Sequence, residues 1–306
     1  MKLAVAGATG YIGSRLVPRL LAAGHQVVCL ARTPAKLDDR PWRDRVEVRR
    51  CDVMIADDVE RALEGCDAAY YLIHSMGEQA DFADADRTAA ENFARGAEVN
   101  RLQRIVYLGG LGGAEDLSDH LASRQEVGGV LAGGATPVTE LRASVVIGAG
   151  SVSFEMLRYL TEVLPVMVTP RWVETRTQPI AIRDVLTYLV AVLDDDARSV
   201  VYEIGGPDVV TYREMMQLYA DVAGLRRRVI VPVPVLTPRL SSLWIGLVTP
   251  LPSGVARPLV DSLRNEVVVE DDAAVKFGVD TLPLREAIEH APVSYTHLTL
   301  PTNREV

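Results

Sequence analysis

The 306-residue chain carries a formal charge of -9, with 41 acidic against 32 basic residues, and is 48% hydrophobic. The charges are scattered and form no basic face, which argues against nucleic-acid partners. The three cysteines, Cys29, Cys51 and Cys66, are too few and too widely spaced for a disulfide framework or a C-x-x-C site, and the histidines add no metal-ligand spacing. A reduced, cytoplasmic setting without a metal is expected.

"MKLAVAGATG" passes directly from an apolar run into glycines, leaving no room for an export signal. "KLAVAG" reads as a buried strand and "SRLVPRLLAAG" as a helix closed by Gly24, with Pro18 expected to kink it mildly. "QVVCLAR" and "VEVRRCDV" read as strands, "DDVERALEG" as a helix and "DAAYYLIHS" as the fourth strand. The helix "ADRTAAENFARGAEVN", the strand "RIVYLGGLGG" and a sixth strand, "VTELRASVVIGAG", complete the first 150 residues. Such βαβ alternation with near-continuous apolar strands predicts an α/β fold: a Rossmann, doubly wound parallel sheet covered on both faces.

Beyond Gly150 the texture changes. Residues 151–292 are expected to return to the Rossmann core at about 179–206 and otherwise to form a small carboxyl-terminal substrate lobe. There "SFEMLRYLTEVLPVMVTPRW" reads as a helix and a Pro-bounded segment, "TQPIAIRDVLTYLVAVLDD" as a strand and a helix begun by Asp184, and "SVVYEIGGPDVVTYREMMQLYADVAG" as strand, turn and helix. The prolyl-apolar stretch from Val229 to Val260 is too interrupted for a spanning helix. It suits a pocket wall, or a face covered by a carboxyl-terminal domain missing from this chain, with membrane-surface contact as the alternative. Residues 293–306, "VSYTHLTLPTNREV" in large part, resemble a translated sequencing adapter and are expected to be non-native.

Gly7, Gly10 and Gly13 form a G-x-x-G-x-x-G loop between strand and helix. The first permits a tight turn, the second lets backbone approach phosphate, and the third allows close helix packing. Thr9, Tyr11 and Ile12 complete a loop whose amides and helix end face the anion of a dinucleotide. After the second strand, where NAD-selective sites place an Asp or Glu, the sequence has Arg32, Thr33 and Lys36. These suit a 2′-phosphate, so NADP is favoured over NAD. Asp52 and Val53 are positioned to flank adenine. Leu72, Ile73 and His74 end the fourth strand and border the ribose and nicotinamide, and Leu108 and Gly109 at the end of the fifth join the cofactor-binding set.

These motifs, with "RIVYLGG", "LRASVVIG" and "YEIGGPDVVTYREMM", resemble the short-chain dehydrogenase/reductase superfamily in its extended and atypical branches, NDUFA9-like and YbjT-like with an NmrA-type Rossmann core. The resemblance covers residues 1–292 and implies a nicotinamide cofactor and a small-molecule substrate. It also implies a catalytic Tyr and Lys four residues apart after the fifth strand, with a Ser at that strand's end. Here the strand ends "YLGGLGG", and in "LSDHLASRQEVGGVL" His120 and Arg124 occupy the Tyr and Lys positions, one turn apart on one helix face. Arg stays protonated and cannot join a proton relay as Lys does. His120 is either a proton-exchanging group or an exposed residue near a helix start. Arg142, Arg158, Arg171 and Arg176 are candidates for meeting an anionic substrate or solvent, and Glu155 and Asp184 are read as helix caps. The leading expectation is an NADP-dependent oxidoreductase on an apolar or quinone-like substrate. The alternatives are a catalytically lapsed redox sensor or assembly factor, and an epimerase or dehydratase.

Overall fold

The computed structural model describes residues 1–74, 82–113, 117–196, 198–233, 262–271 and 273–291. The expected adapter tail and most of the prolyl-apolar stretch lie outside the described residues.

The chain builds β1 (Lys2–Ala6), α1 (Tyr11–Ala22), β2 (Gln26–Ala31), β3 (Glu47–Arg50), α2 (Ala56–Ala62), β4 (Ala68–Tyr71), α3 (Phe82–Val99), β5 (Arg104–Gly110), α4 (Asp119–Ala132) and β6 (Val138–Ala143). With β11 (Val200–Ile204), these strands form one parallel seven-stranded sheet in the order β11-β6-β5-β4-β1-β2-β3. The order reverses between β1 and β4. A doubly wound sheet opens a crevice at the carboxyl ends of its strands at that point.

Strand alternation sorts the core into two layers. Leu3 and Val5 of β1 pack with Leu16, Val17 and Leu20 of α1 and Val185 and Leu189 of α6 (Ile182–Ala191). Ala4 and Ala6 point the other way, into a layer with Val59 and Leu63 near α2, Phe93 and Ala97 of α3, and Val127 and Leu131 of α4. The small alanines on that face leave room for large rings, and Tyr71 meets Phe93 edge-on at 4.9 Å between centroids.

The remaining elements are β7 (Val146–Ile147), α5 (Val152–Val163), β8 (Val166–Pro170), β9 (Arg176–Thr177), β10 (Ile180–Ala181), β12 (Val210–Thr211), α7 (Tyr212–Val222), β13 (Val229–Val233), α8 (Ala274–Phe277) and α9 (Leu284–Glu289). A third apolar cluster joins Phe154, Leu157 and Leu160 of α5 to Met215, Met216 and Tyr219 of α7, with Trp172 and Ile288. The capping box of α7 is complete: the Thr211 side chain takes the Glu214 amide while Glu214 returns to the Thr211 amide.

Several local expectations need refining. Pro18 lies inside α1 on its exposed side, in a helix that runs to Ala22. The sixth strand is divided at Ser144 and Val145: β6 belongs to the main sheet, whereas β7 pairs with β10. Asp184 does not cap its helix, which starts at Ile182; it is buried and takes the amide of Leu282, 98 residues away. Gly24 and Gly224 close their helices with φ of 84° and 66°.

Candidate functional site

The glycine loop leaves β1 at the crevice. Gly7 has φ of 91°, and a Cβ there would lie 2.6 Å from the Leu72 carbonyl oxygen at the exit of β4. At Gly13 a Cβ would lie 2.3 Å from the Gly7 carbonyl oxygen, so the third glycine lets α1 close onto the loop. Gly10 is different: it is exposed, and among the described residues a Cβ would meet only the Gly7 oxygen, at 3.3 Å. No side chain caps α1 at Gly10 and its first turn holds no acidic residue. The first-turn amides therefore remain available to an anion on the open side of Gly10. These features fit the pyrophosphate of a nicotinamide dinucleotide.

Thr9 is exposed, and its carbonyl accepts from Arg40 Nη2 at 3.5 Å. Arg32 and Thr33 follow β2 immediately and Lys36 lies in the next short helical turn, all three exposed. Arg40 was missed from the sequence because the chain must turn back through residues 34–39 before it reaches the loop. The Tyr11 side chain packs away from the anion position: its hydroxyl is buried against Gly148, Arg15 stacks over its ring, and burial pushes its pKa up to about 12. Asp52 accepts from the Met54 amide at 3.1 Å, and the Val53 carbonyl accepts from Asn92 Nδ2 at 2.9 Å, which ties the β3 exit to α3.

At the ends of β4 and β5 the structure gathers His74, His120, Arg124 and Asp86. His120 Nδ1 lies 3.2 Å from His74 Nε2, and His74 Nδ1 lies 3.4 Å from Asp86 Oδ2. Leu72 and Ile73 lead into this cluster. Arg124 is fixed by donating to the Leu108 carbonyl at 2.5 Å, while its own carbonyl accepts from the Tyr107 hydroxyl at 2.8 Å. Its buried Nε has no hydrogen-bond partner among the described residues. Gly109 and Gly128 leave space for the buried Glu140, which takes both prongs of Arg142 at 2.8 and 3.3 Å.

His120 is not an exposed residue at a helix start; only 8% of it is accessible. Ser118, which caps α4, bonds Ser262 Oγ at 2.9 Å and its amide donates to Asn265 Oδ1 at 3.2 Å, so a segment more than 140 residues later closes over this helix end. Burial, with His74 and the Arg124 guanidinium nearby, pushes the His120 imidazole down to about 3. Burial also lowers His74, against the raising influence of the nearby Asp86 carboxylate. Both rings are therefore neutral near pH 7.

The other arginines expected to meet substrate are mostly engaged. Arg142 is held by Glu140, Arg158 by Glu155 and Glu162, and Arg176 by Glu266. Glu155 also takes the Gly150 amide ahead of α5. The three thiols are free and buried. Among the described residues no cluster could hold a metal ion, and no helix is long and apolar enough to cross a membrane.

Residues 7–144 match the NAD(P)H-binding family model. Over 297 residues the chain is 26% identical to the mitochondrial NADH dehydrogenase (ubiquinone) 1 alpha subcomplex subunit 9 of Arabidopsis thaliana, covering 91% of this chain and 73% of that protein. Two solved structures share its fold. Citrobacter sp. triphenylmethane reductase complexed with NADP(H) has a TM-score of 0.74 at 21% identity, covering 95% of this chain and 100% of that one. An NADPH-dependent quinone oxidoreductase from Escherichia coli, complexed with NADPH, has a TM-score of 0.75 at 19% identity, covering 94% and 99%. The match to an NAD(P)H-binding family thus lies on residues 7–144, and along most of its length the chain is similar to that NADH dehydrogenase subunit.

Proposed function

We propose that this protein is an NADP(H)-dependent oxidoreductase acting on a small apolar or quinone-like substrate in a reducing, cytoplasmic setting. The observation that carries the coenzyme choice is the basic rim beside the open glycine loop. Arg32, Thr33 and Lys36 follow β2 where a carboxylate would repel a 2′-phosphate, and Arg40 reaches the Thr9 carbonyl. The solved relatives named for NADPH-dependent quinone reduction and triphenylmethane reduction agree with this choice. When bound, the nicotinamide would supply or accept hydride. Gly10 and the first-turn amides of α1 would hold its pyrophosphate, and Asp52 and Val53 would flank the adenine.

His120 is the side chain proposed to exchange a proton with substrate, and Arg124 to orient substrate or ribose. A test is calorimetric titration with NADPH and NADH, with Arg32→Glu as control, followed by a turnover screen over carbonyls and quinones. Tighter NADPH binding and NADPH oxidation with some member of the panel support the proposal; no oxidation anywhere counts against it. A second reading, a dinucleotide-binding redox sensor, is favoured by the replacement of the Tyr and Lys by His120 and Arg124. It fails if His120→Ala and Arg124→Ala abolish turnover while NADPH affinity is retained.

A further inference from the structure

We infer that the valine face of the ribbon formed by β8 and β13, with the arginines at its two ends, docks on the anionic surface of a lipid bilayer, where the protein lies without spanning it. This surface is separate from the glycine loop and goes beyond the proposed reaction. β8 and β13 pair in parallel, with Val166 opposite Val229 and Val168 opposite Val231. Alternation sends Met167 and Ile230 inward, to the apolar cluster of α5 and α7, and leaves the four valines on the other face. Each of the four is between 45% and 59% exposed, and Val163 at the end of α5 is exposed as well. A lone exposed valine needs no account, but a paired row of four does.

The row is small for a protein partner. Its four side chains expose on the order of 300 Å², well under the ~800 Å² per partner of a standard protein–protein interface, so a second copy seated on this strip alone would be held weakly. A bilayer sets no such footprint, and it adds charge. Arg226 and Arg227 are exposed just before β13 and Arg171 is exposed just after β8, so cations flank both ends of the strip. None of the three makes an ion pair among the described residues. The acidic side chains nearest in the chain are already held: Glu162 by Arg158 and the Tyr219 hydroxyl, Glu174 by Arg213, and Asp221 by Arg285. The sequence continues the same sign. From Val222 to Val260 it has five arginines and no aspartate or glutamate, in a chain of net charge -9. Valines that can enter the acyl boundary, beside guanidinium groups that can reach lipid phosphate, supply both parts of an interfacial contact.

The test is co-sedimentation of the full chain, without coenzyme, with vesicles of phosphatidylcholine alone or with phosphatidylglycerol as about one lipid in three. Binding to the anionic vesicles should be about 10-fold tighter or more, and should weaken as salt is raised. Arg226→Gln with Arg227→Gln should weaken it about 10-fold or more, and Val168→Thr with Val231→Thr about 5-fold or more. Threonine keeps the strand preference of the ribbon, so circular dichroism should match wild type. Val275→Thr, at a 94% exposed valine on α8, should change nothing. A polarity-sensitive fluorophore on Val168→Cys, selective because the three native thiols are buried, should shift to the blue on anionic vesicles, whereas the same probe on Val275→Cys should not. The probe decides the point if the double valine variant does not fold. Absence of binding, equal binding to both vesicles, or a probe at position 168 that does not respond overturns the inference. So does a dimer, seen by light scattering, that Val168→Thr with Val231→Thr dissolves, because a second copy would then cover this face. Because no coenzyme is present, failure of the proposed oxidoreductase reading would leave the vesicle result standing.

Discussion

The backbone of Gly7 and the carbonyl of Leu72 approach so closely that a Cβ on Gly7 would come within 2.6 Å of that oxygen, so the turn leaving β1 is wedged against the exit of β4. With φ of 91°, Gly7→Ala meets both steric overlap with backbone and an unfavourable dihedral. We expect it to cost about 2–4 kcal/mol in urea unfolding and to abolish coenzyme binding. Gly13→Ala, with its contact to the Gly7 oxygen, should behave similarly. Gly10→Ala should leave stability within about 1 kcal/mol of wild type while weakening dinucleotide affinity, because Gly10 is exposed and its Cβ would meet the Gly7 oxygen at 3.3 Å, a milder contact than at Gly7 or Gly13. Equal stability losses in all three variants would contradict this division of roles.

The histidine pair gives stability a pH dependence of definite sign. His74 and His120 are both held below the ordinary histidine value, His120 at about 3. The unfolded chain therefore takes up protons near pH 6.5 that the folded protein refuses. The stabilisation is fully present above about pH 6.5 and is lost as pH falls from there toward 3, at up to about 1.4 kcal/mol per pH unit for each histidine. Glu47 and Glu214, whose carboxyls are held low by their hydrogen bonds, act only below their unfolded values near 4.5. Urea unfolding at pH 7.5 and 5.5 should thus isolate the histidines. The pH sensitivity should shrink in His120→Gln, and equal sensitivity in both proteins would contradict the burial assigned to this ring.

Glu140 occupies a space that two glycines keep open. A Cβ at Gly128 would lie 2.4 Å from one carboxylate oxygen, and a Cβ at Gly109 would lie 2.5 Å from the other. Arg142→Met removes the partner of this buried charge and should cost about 3–5 kcal/mol in thermal or urea unfolding. The double change Arg142→Met with Glu140→Gln should recover part of the loss. A single variant as stable as wild type would show that the pair is not essential to the end of β5.

Much of this fold was legible because its signals are local. Strand, glycine loop and helix lie within residues 2–22, and alternating apolar periods set the β4 and β5 exits where His74 and Leu108 were expected to border the coenzyme. What escaped depends on distant partners. His120 packs against His74, 46 residues away, Ser262 and Asn265 reach Ser118 from more than 140 residues away, and Asp86 comes beside His74 only because α3 lies beside the end of β4. Arg40 lay beyond a turn whose path the sequence does not encode by periodicity. The break between β6 and β7 was invisible because Val145 carries the apolar run straight on past Ser144.

The central claim is that the glycine loop and the basic rim at the end of β2 hold a nicotinamide dinucleotide bearing a 2′-phosphate. Isothermal titration calorimetry with NADPH and NADH tests it most directly. The account predicts tighter binding of NADPH, a preference reduced about 10-fold or more in Arg32→Glu by loss of a charge-assisted contact of about 1.5–3 kcal/mol, and NADH affinity little changed by that substitution. No heat with either coenzyme, or equal affinities unaltered by Arg32→Glu, would contradict it.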